Sequence, residues 1–139
     1  MVFAVSSENI DLVRRLIESF NRDDVDATWA ENWELFAEDI EVWPAPGFPE
    51  AGPFQGRHQY RVFFDGLRGG WKETSVVVRE LEDAGDKVLA SVQWRAIGET
   101  SGVETSSDWL VVFTIRGGHI ACVQFFSDHD AAIDAAGLR

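Results

Sequence analysis

Asp128, His129 and Asp130 stand side by side near the end of the chain and form its densest group of titratable side chains. A carboxylate beside an imidazole can orient a general base near neutral pH, and the end of a sheet strand is a sensible place for one. The same residues also fit a helix start, with Ser127 and Asp128 capping and His129 and Asp130 in a solvated first turn. Glu41 is the second candidate base. It lies two residues from Trp43 in a strand-like run, so the two share a face. Buried there, its carboxyl would rise towards the range of a general acid or base. At a sheet edge it would instead reach solvent or pair with an arginine. His58 falls in a first helical turn and His119 just after a turn, and no two histidines have metal-ligand spacing. No metal site is expected. Gly69-Gly70 and Gly117-Gly118 lack the lysine or the dinucleotide pattern of a phosphate-binding loop, and no cofactor is expected.

The second chemical signal is aromatic: six Trp, ten Phe and one Tyr in 139 residues. Trp29, Trp33, Trp43, Tyr60, Phe64, Trp94, Trp109 and Phe125 could wall an apolar pocket with a few polar tips, with Val111 beside Trp109 on one strand face. Taken singly, each ring also has an ordinary role in a core, and composition alone does not choose.

The elements that must position these residues follow from periodicity. Ser7 can cap a helix over about residues 8–21, with apolar residues at Ile10, Val13, Leu16, Ile17 and Phe20. A second helix starts after Asp23-Asp24, and spacings of four and three put Trp29, Trp33 and Phe36 on one face. Ile40 to Trp43 reads as a short strand ended by Pro44. The run PAPGFPEAGPF holds all four prolines and reads as a structured loop. Tyr60, Phe63, Phe64 and Leu67 give a third helix, stopped by Gly69-Gly70. The period then changes to two. Strands are predicted near 72–81, 87–97, 103–116 and 119–127, with short turns that imply an antiparallel meander, and the tail reads as a short helix with Gly137 at its C-cap. If residue 92 pairs with 109, then Ala90, Val92, Trp94 and Ala96 join Trp109, Val111, Phe113 and Ile115 on the face that meets the helices.

One domain over residues 1–139 is expected, of the α+β class, with helices packed on one face of the sheet. The net charge of −12 opposes phosphate backbones and anionic membranes, so neither nucleic acid nor membrane is an expected partner. The start MVFAVSSEN lacks a basic, apolar leader, and the lone Cys122 suits a reducing compartment. A cytoplasmic protein is expected. The other sheet face carries Leu110, Val112 and Phe126 among Gln93, Arg95 and Asp108. It is too apolar for free exposure, which points to a homodimer through this outer face.

The element order, with the strings FNRDDVDA, DIEVWP, FQGRHQYRVFF, GETSGVE, FTIRGGHIACVQFFSD and AAIDAAGL, resembles the SnoaL-like branch of the nuclear transport factor 2-like superfamily over nearly the whole chain. The resemblance implies the NTF2-like (cystatin-like) cone: three N-terminal helices on a curved, mainly antiparallel sheet, a short C-terminal helix, and a conical cavity between them. That hollow favours a cavity for the aromatic set. Relatives dimerise through the outer sheet face and include polyketide cyclases, ketosteroid isomerases, limonene epoxide hydrolases, scytalone dehydratases and non-catalytic binding domains, so the fold does not name a reaction. Where ketosteroid isomerases carry a tyrosine and two aspartates, this chain has Leu16, Trp43 and Val111, which excludes that mechanism. The strand VLASVQWRAIG offers no acid for epoxide hydrolysis. For polyketide cyclases the resemblance implies an acid at the last strand, where Asp128 is nearest. The expected function is binding of a small apolar, ring-bearing molecule; if the protein is an enzyme, the expected reaction is cofactor-free proton transfer (cyclisation, isomerisation or dehydration) by Asp128 or Glu41, with an indole N–H or Tyr60 helping the oxygen. The alternative is a non-catalytic ligand-binding or dimerisation module.

Overall fold

In the computed structural model, residues 2–22, 24–45 and 52–138 are described, with backbone alone for 2–7. The proline-rich run therefore lies mostly outside the described residues, as does Asp23. Helix α1 (Val2–Ser19) starts earlier than expected, so Ser7 falls within the helix instead of capping it. Asp24 caps α2 (Val25–Asn32), its side chain accepting from the Ala27 amide at 3.0 Å. At Trp33 the α-helix gives way to a single 3-10 turn, Trp33–Leu35. Strand β1 (Phe36–Trp43) follows and is longer than the predicted run, and β2 (Phe54–Gln55) pairs antiparallel with it. Helix α3 (Arg57–Arg68) ends at Gly69, as the glycine pair predicts. The meander is β3 (Trp71–Asp83), β4 (Lys87–Gly98), β5 (Glu104–Arg116) and β6 (His119–Phe126), and α4 (His129–Ala136) closes the chain. Gly137 takes the left-handed φ of +76° at its C-cap, a conformation that glycine adopts without a Cβ penalty.

The six strands form one sheet in the order β2-β1-β6-β5-β4-β3. Every pairing is antiparallel except β1 with β6, which is parallel. Val92 faces Trp109 across β4 and β5, the register inferred from alternation. Ala90, Val92 and Ala96 of β4 and Val111, Phe113 and Ile115 of β5 are buried on the helix side, where the main core gathers around Val13, Ile40, Val42, Phe36 and Phe63.

The outer face departs from expectation. Helix α4 lies across it, and Val112, with 0% exposure, is buried with Leu89, Ala132 and Ala136; Leu110 and Phe126 pack against the same group. What stays open nearby is mixed: Arg95 donates to Gln93 Oε1 at 3.2 Å, Arg79 lies 3.6 Å from Asp108, and Val77, which pairs with Gln93, is 43% exposed. The chain's own last helix thus covers part of the apolar surface that argues for a second subunit.

Candidate functional site

The helices and the sheet do not meet everywhere. Between them lies a pocket of about 450 Å3. Leu16, Ile17 and Phe20 reach it from the end of α1 and the turn beyond, Thr28, Trp29 and Asn32 from α2, and Tyr60, Phe64, Leu67 and Arg68 from α3. The sheet supplies Phe36, Trp71, Val76, Val92, Trp94, Ser107, Trp109, Val111, Phe113 and Phe125. The rings pack against one another. Tyr60 lies 4.6 Å from Phe36 and 4.7 Å from Phe64 between centroids, and Trp29 meets Tyr60 edge-on at 5.7 Å. Phe64 is 6.1 Å from Phe125, and Trp71 stands edge-on to Trp94 at 5.5 Å. Such offset and edge contacts are the favoured aromatic geometries.

Of the predicted pocket residues, Trp29, Tyr60, Phe64, Trp94, Trp109, Val111 and Phe125 come together in this lining. Trp33 and Trp43 do not. Trp33 leaves the α2 face as the helix tightens into its 3-10 turn, and its ring lies against His58 at 5.3 Å with the Arg57 guanidinium 5.9 Å away. Trp43 is 43% exposed: in β1 the alternating Ile40 and Val42 enter the core, so Glu41 and Trp43 turn outwards together, with Trp43 Nε1 donating to Glu41 Oε2 at 3.3 Å. They do share a face, but it is the one away from the pocket. Asp128 is exposed and caps α4, accepting from the Asp130 amide at 3.1 Å. Neither candidate base therefore reaches the lining. His58 and His119 are exposed, and among the described residues no group of three His, Cys, Asp or Glu side chains is placed to hold a metal. No helix among them is long and apolar enough to cross a membrane.

The polar groups that do reach the pocket are few. Tyr60 is 3% exposed, and burial pushes its phenol above its ordinary value while the Arg68 charge pulls the other way. Among the tryptophans, Trp29 Nε1 donates to Asp65 Oδ1 at 3.2 Å and Trp109 Nε1 to Ser107 Oγ at 2.9 Å. Trp94 Nε1 is shielded from solvent and has no partner among the described residues. Asn32 donates to Ser19 Oγ at 2.9 Å, which in turn donates to the Leu16 carbonyl, so these groups are used in joining α2 to α1. Arg68 was not anticipated from the sequence. Its signal was there: it follows Tyr60 and Phe64 at four-residue spacing, on the same face of α3.

Comparison with curated proteins gives no match. Among solved structures, a protein from Jannaschia sp. CCS1 assigned as a SnoaL-like polyketide cyclase is 19% identical, with a TM-score of 0.73 over 96% of this chain and 94% of that one. Bal32a, from a soil-derived mobile gene cassette, is 23% identical with a TM-score of 0.71 over 94% and 96%. TerC, co-crystallised with polyporic acid, is 16% identical with a TM-score of 0.70 over 94% and 98%. At these identities the likeness is one of fold. The family model described as SnoaL-like domain matches residues 13–123, and with most of its length so matched the chain belongs to the SnoaL-like domain family.

Proposed function

We propose that this protein binds a small, largely apolar, ring-bearing molecule in the pocket between α1, α2, α3 and the sheet. One observation carries the reading: a hollow of about 450 Å3, within the usual range of small-molecule sites, is walled by aromatic and aliphatic side chains where an ordinary core would be filled. The lining described here contains no carboxylate and no imidazole. Proton transfer by Asp128 or Glu41 has no route to a ligand held there, since one caps α4 and the other lies on the outer face of β1. Tyr60 stays protonated at ordinary pH and is a donor, not a base. Ligand holding therefore fits the geometry better than cofactor-free catalysis.

The test is a panel of bicyclic aromatic and terpenoid compounds, read by tryptophan emission and by melting temperature. Trp29, Trp94 and Trp109 all touch the pocket, so occupancy should change emission. A ligand at about a hundred times its Kd should add roughly 2.7 kcal/mol of stability. If no compound moves either signal, the hollow is a packing defect of a closed core and the proposal fails.

A further inference from the structure

Resting on that reading, we infer that the pocket's ligand carries an oxyanion on its ring system, a carboxylate or an enolate, and that Arg68 Nη1 and Trp94 Nε1 are the donors that receive it. Both atoms belong to residues of the lining, both are shielded from solvent, and neither has a hydrogen-bond partner among the described residues. Buried donors are bonded in the great majority of cases, and an unpartnered guanidinium nitrogen is the costlier exception because it is charged. Two such exceptions in the wall of one apolar pocket call for an acceptor that comes from outside the chain.

The surroundings of Arg68 show that its charge is only partly used. Nη2 donates to the Phe20 carbonyl at 3.1 Å, which ties the end of α3 to the turn after α1, and the guanidinium lies 4.0 Å over the Phe20 ring. The nearest anion to Nη1 is Asp65 Oδ1 at 3.7 Å, beyond hydrogen-bond reach. That carboxylate is already engaged by Trp29 Nε1 and Arg61 and is itself partly in solvent. Burial therefore lowers the Arg68 pKa from its ordinary value more than Asp65 restores it. A ligand oxyanion against Nη1 would supply the missing acceptor and the missing countercharge together.

The position also suits entry. Arg68 and Trp71 line both the apolar pocket and a polar basin beside it, which carries Arg22, Lys72 and Arg95 together with Glu73 and Glu104. The chain as a whole repels anions at −12, but the wall of this basin sets four cationic side chains, Arg22, Arg68, Lys72 and Arg95, against two carboxylates, Glu73 and Glu104, a local balance that favours an approaching anion. A ring with one oxyanion would then seat the ring among Phe64, Trp109 and Phe125 and leave its charge at Arg68.

The experiment compares 2-naphthoate with 2-methylnaphthalene, equal in ring and differing in the charged group, by fluorescence titration of the wild-type chain and of Arg68→Gln, Arg68→Lys and Trp94→Phe. The wild type should prefer the carboxylate by about tenfold or more, the weight of one charge-assisted hydrogen bond. Arg68→Gln should abolish that preference, Arg68→Lys should keep part of it, and Trp94→Phe should weaken the carboxylate more than it weakens 2-methylnaphthalene. Equal affinity of the wild type for both compounds overturns the inference and leaves the pocket reading standing; this arm needs no variant to fold. So does an equal loss of both ligands in a folded Arg68→Gln. If neither compound binds the wild type, the pocket reading falls and the inference falls with it.

Discussion

Val111 and Val112 are neighbours in β5 that face opposite ways, and the same enlargement at each separates a pocket from a core. Val111 lines the pocket between Trp109 and Phe113, whereas Val112 is enclosed under α4 by Leu89, Ala132 and Ala136. Phe carries four more carbon atoms than Val. At Val112 there is no space for them, and overpacking a filled site costs about 1–3 kcal/mol. At Val111 the ring can turn into the hollow. Burying its extra carbons gains up to about 3 kcal/mol at the usual weight per methylene, reduced by ordering the larger side chain. The two substitutions should therefore differ in sign. For a chain of this size one kcal/mol moves the melting temperature by roughly 4 °C. Val112→Phe should melt several degrees below the wild type, and Val111→Phe at or above it. Differential scanning calorimetry measures both, and fluorescence titration with any ligand found should show binding lost in Val111→Phe and kept in Val112→Phe. A fall for Val111→Phe as large as that for Val112→Phe would mean that the space is not available to a side chain, and so not to a ligand.

Asp128→Asn should leave stability almost unchanged, because the amide oxygen still accepts from the first turn of α4, while Asp128→Ala should cost about 1 kcal/mol. Urea unfolding reads both, and ligand affinity should not move in either. Glu41→Gln should leave pocket binding unaltered as well, since Glu41 lies on the outer face of β1; a change of severalfold in Kd would mean that the strand face is wrongly assigned. Tyr60, the only tyrosine, keeps its proton in the folded chain beyond the unfolded value of about 10. Its share of stability is thus whole below that pH and is lost as pH rises above it, by about 1.4 kcal/mol per unit. Unfolding midpoints measured across this alkaline range should fall less steeply in Tyr60→Phe than in the wild type, and parallel curves would show that the phenol is not buried.

The meander and its faces could be read from the chain because the turn glycines leave little freedom. Between Gly98 and Gly102 the loop is short enough that pairing Val92 with Trp109 is the register that puts Val88, Val92, Trp94, Trp109, Val111 and Phe113 on one side. The helix face of α3 was legible for the same reason. Trp33 was not, because a 3.6 period extrapolated from Trp29 assumes that the α-helix continues, and the tightening to a 3-10 turn at residue 33 rotates the side chain away. In β1 the small alternating residues Ile40 and Val42 set the buried face; taking the large Trp43 as the guide selects the opposite one. On the outer face the strands alone do not show what the tail covers. An eight-residue Ala-rich helix has just enough apolar surface to cover Val112 and Leu89, and strand alternation carries no record of what will cover it.

The hollow itself arises from features that alternation cannot encode. The β3–β4 ladder shifts register twice, between Trp71 and Glu73 and between Val78 and Glu80, and the β5–β6 ladder shifts between Thr114 and Ile115. Each such irregularity tends to bend its strand and raise the local twist, which works against a flat sheet beneath the helices. Rows of Trp, Val and Phe that would close a core on a flat sheet then face one another across a gap. The rings alone do not distinguish these outcomes, since the same residues serve either. The distinguishing atoms are polar. A closed core selects against an unpaired indole N–H and an arginine with an idle nitrogen, because each carries an unrecovered desolvation cost. A pocket tolerates them when its ligand restores the partners. Trp94 and Arg68 are therefore better evidence for a site than the surrounding rings, and they are the residues by which one ring-bearing ligand would be told from another.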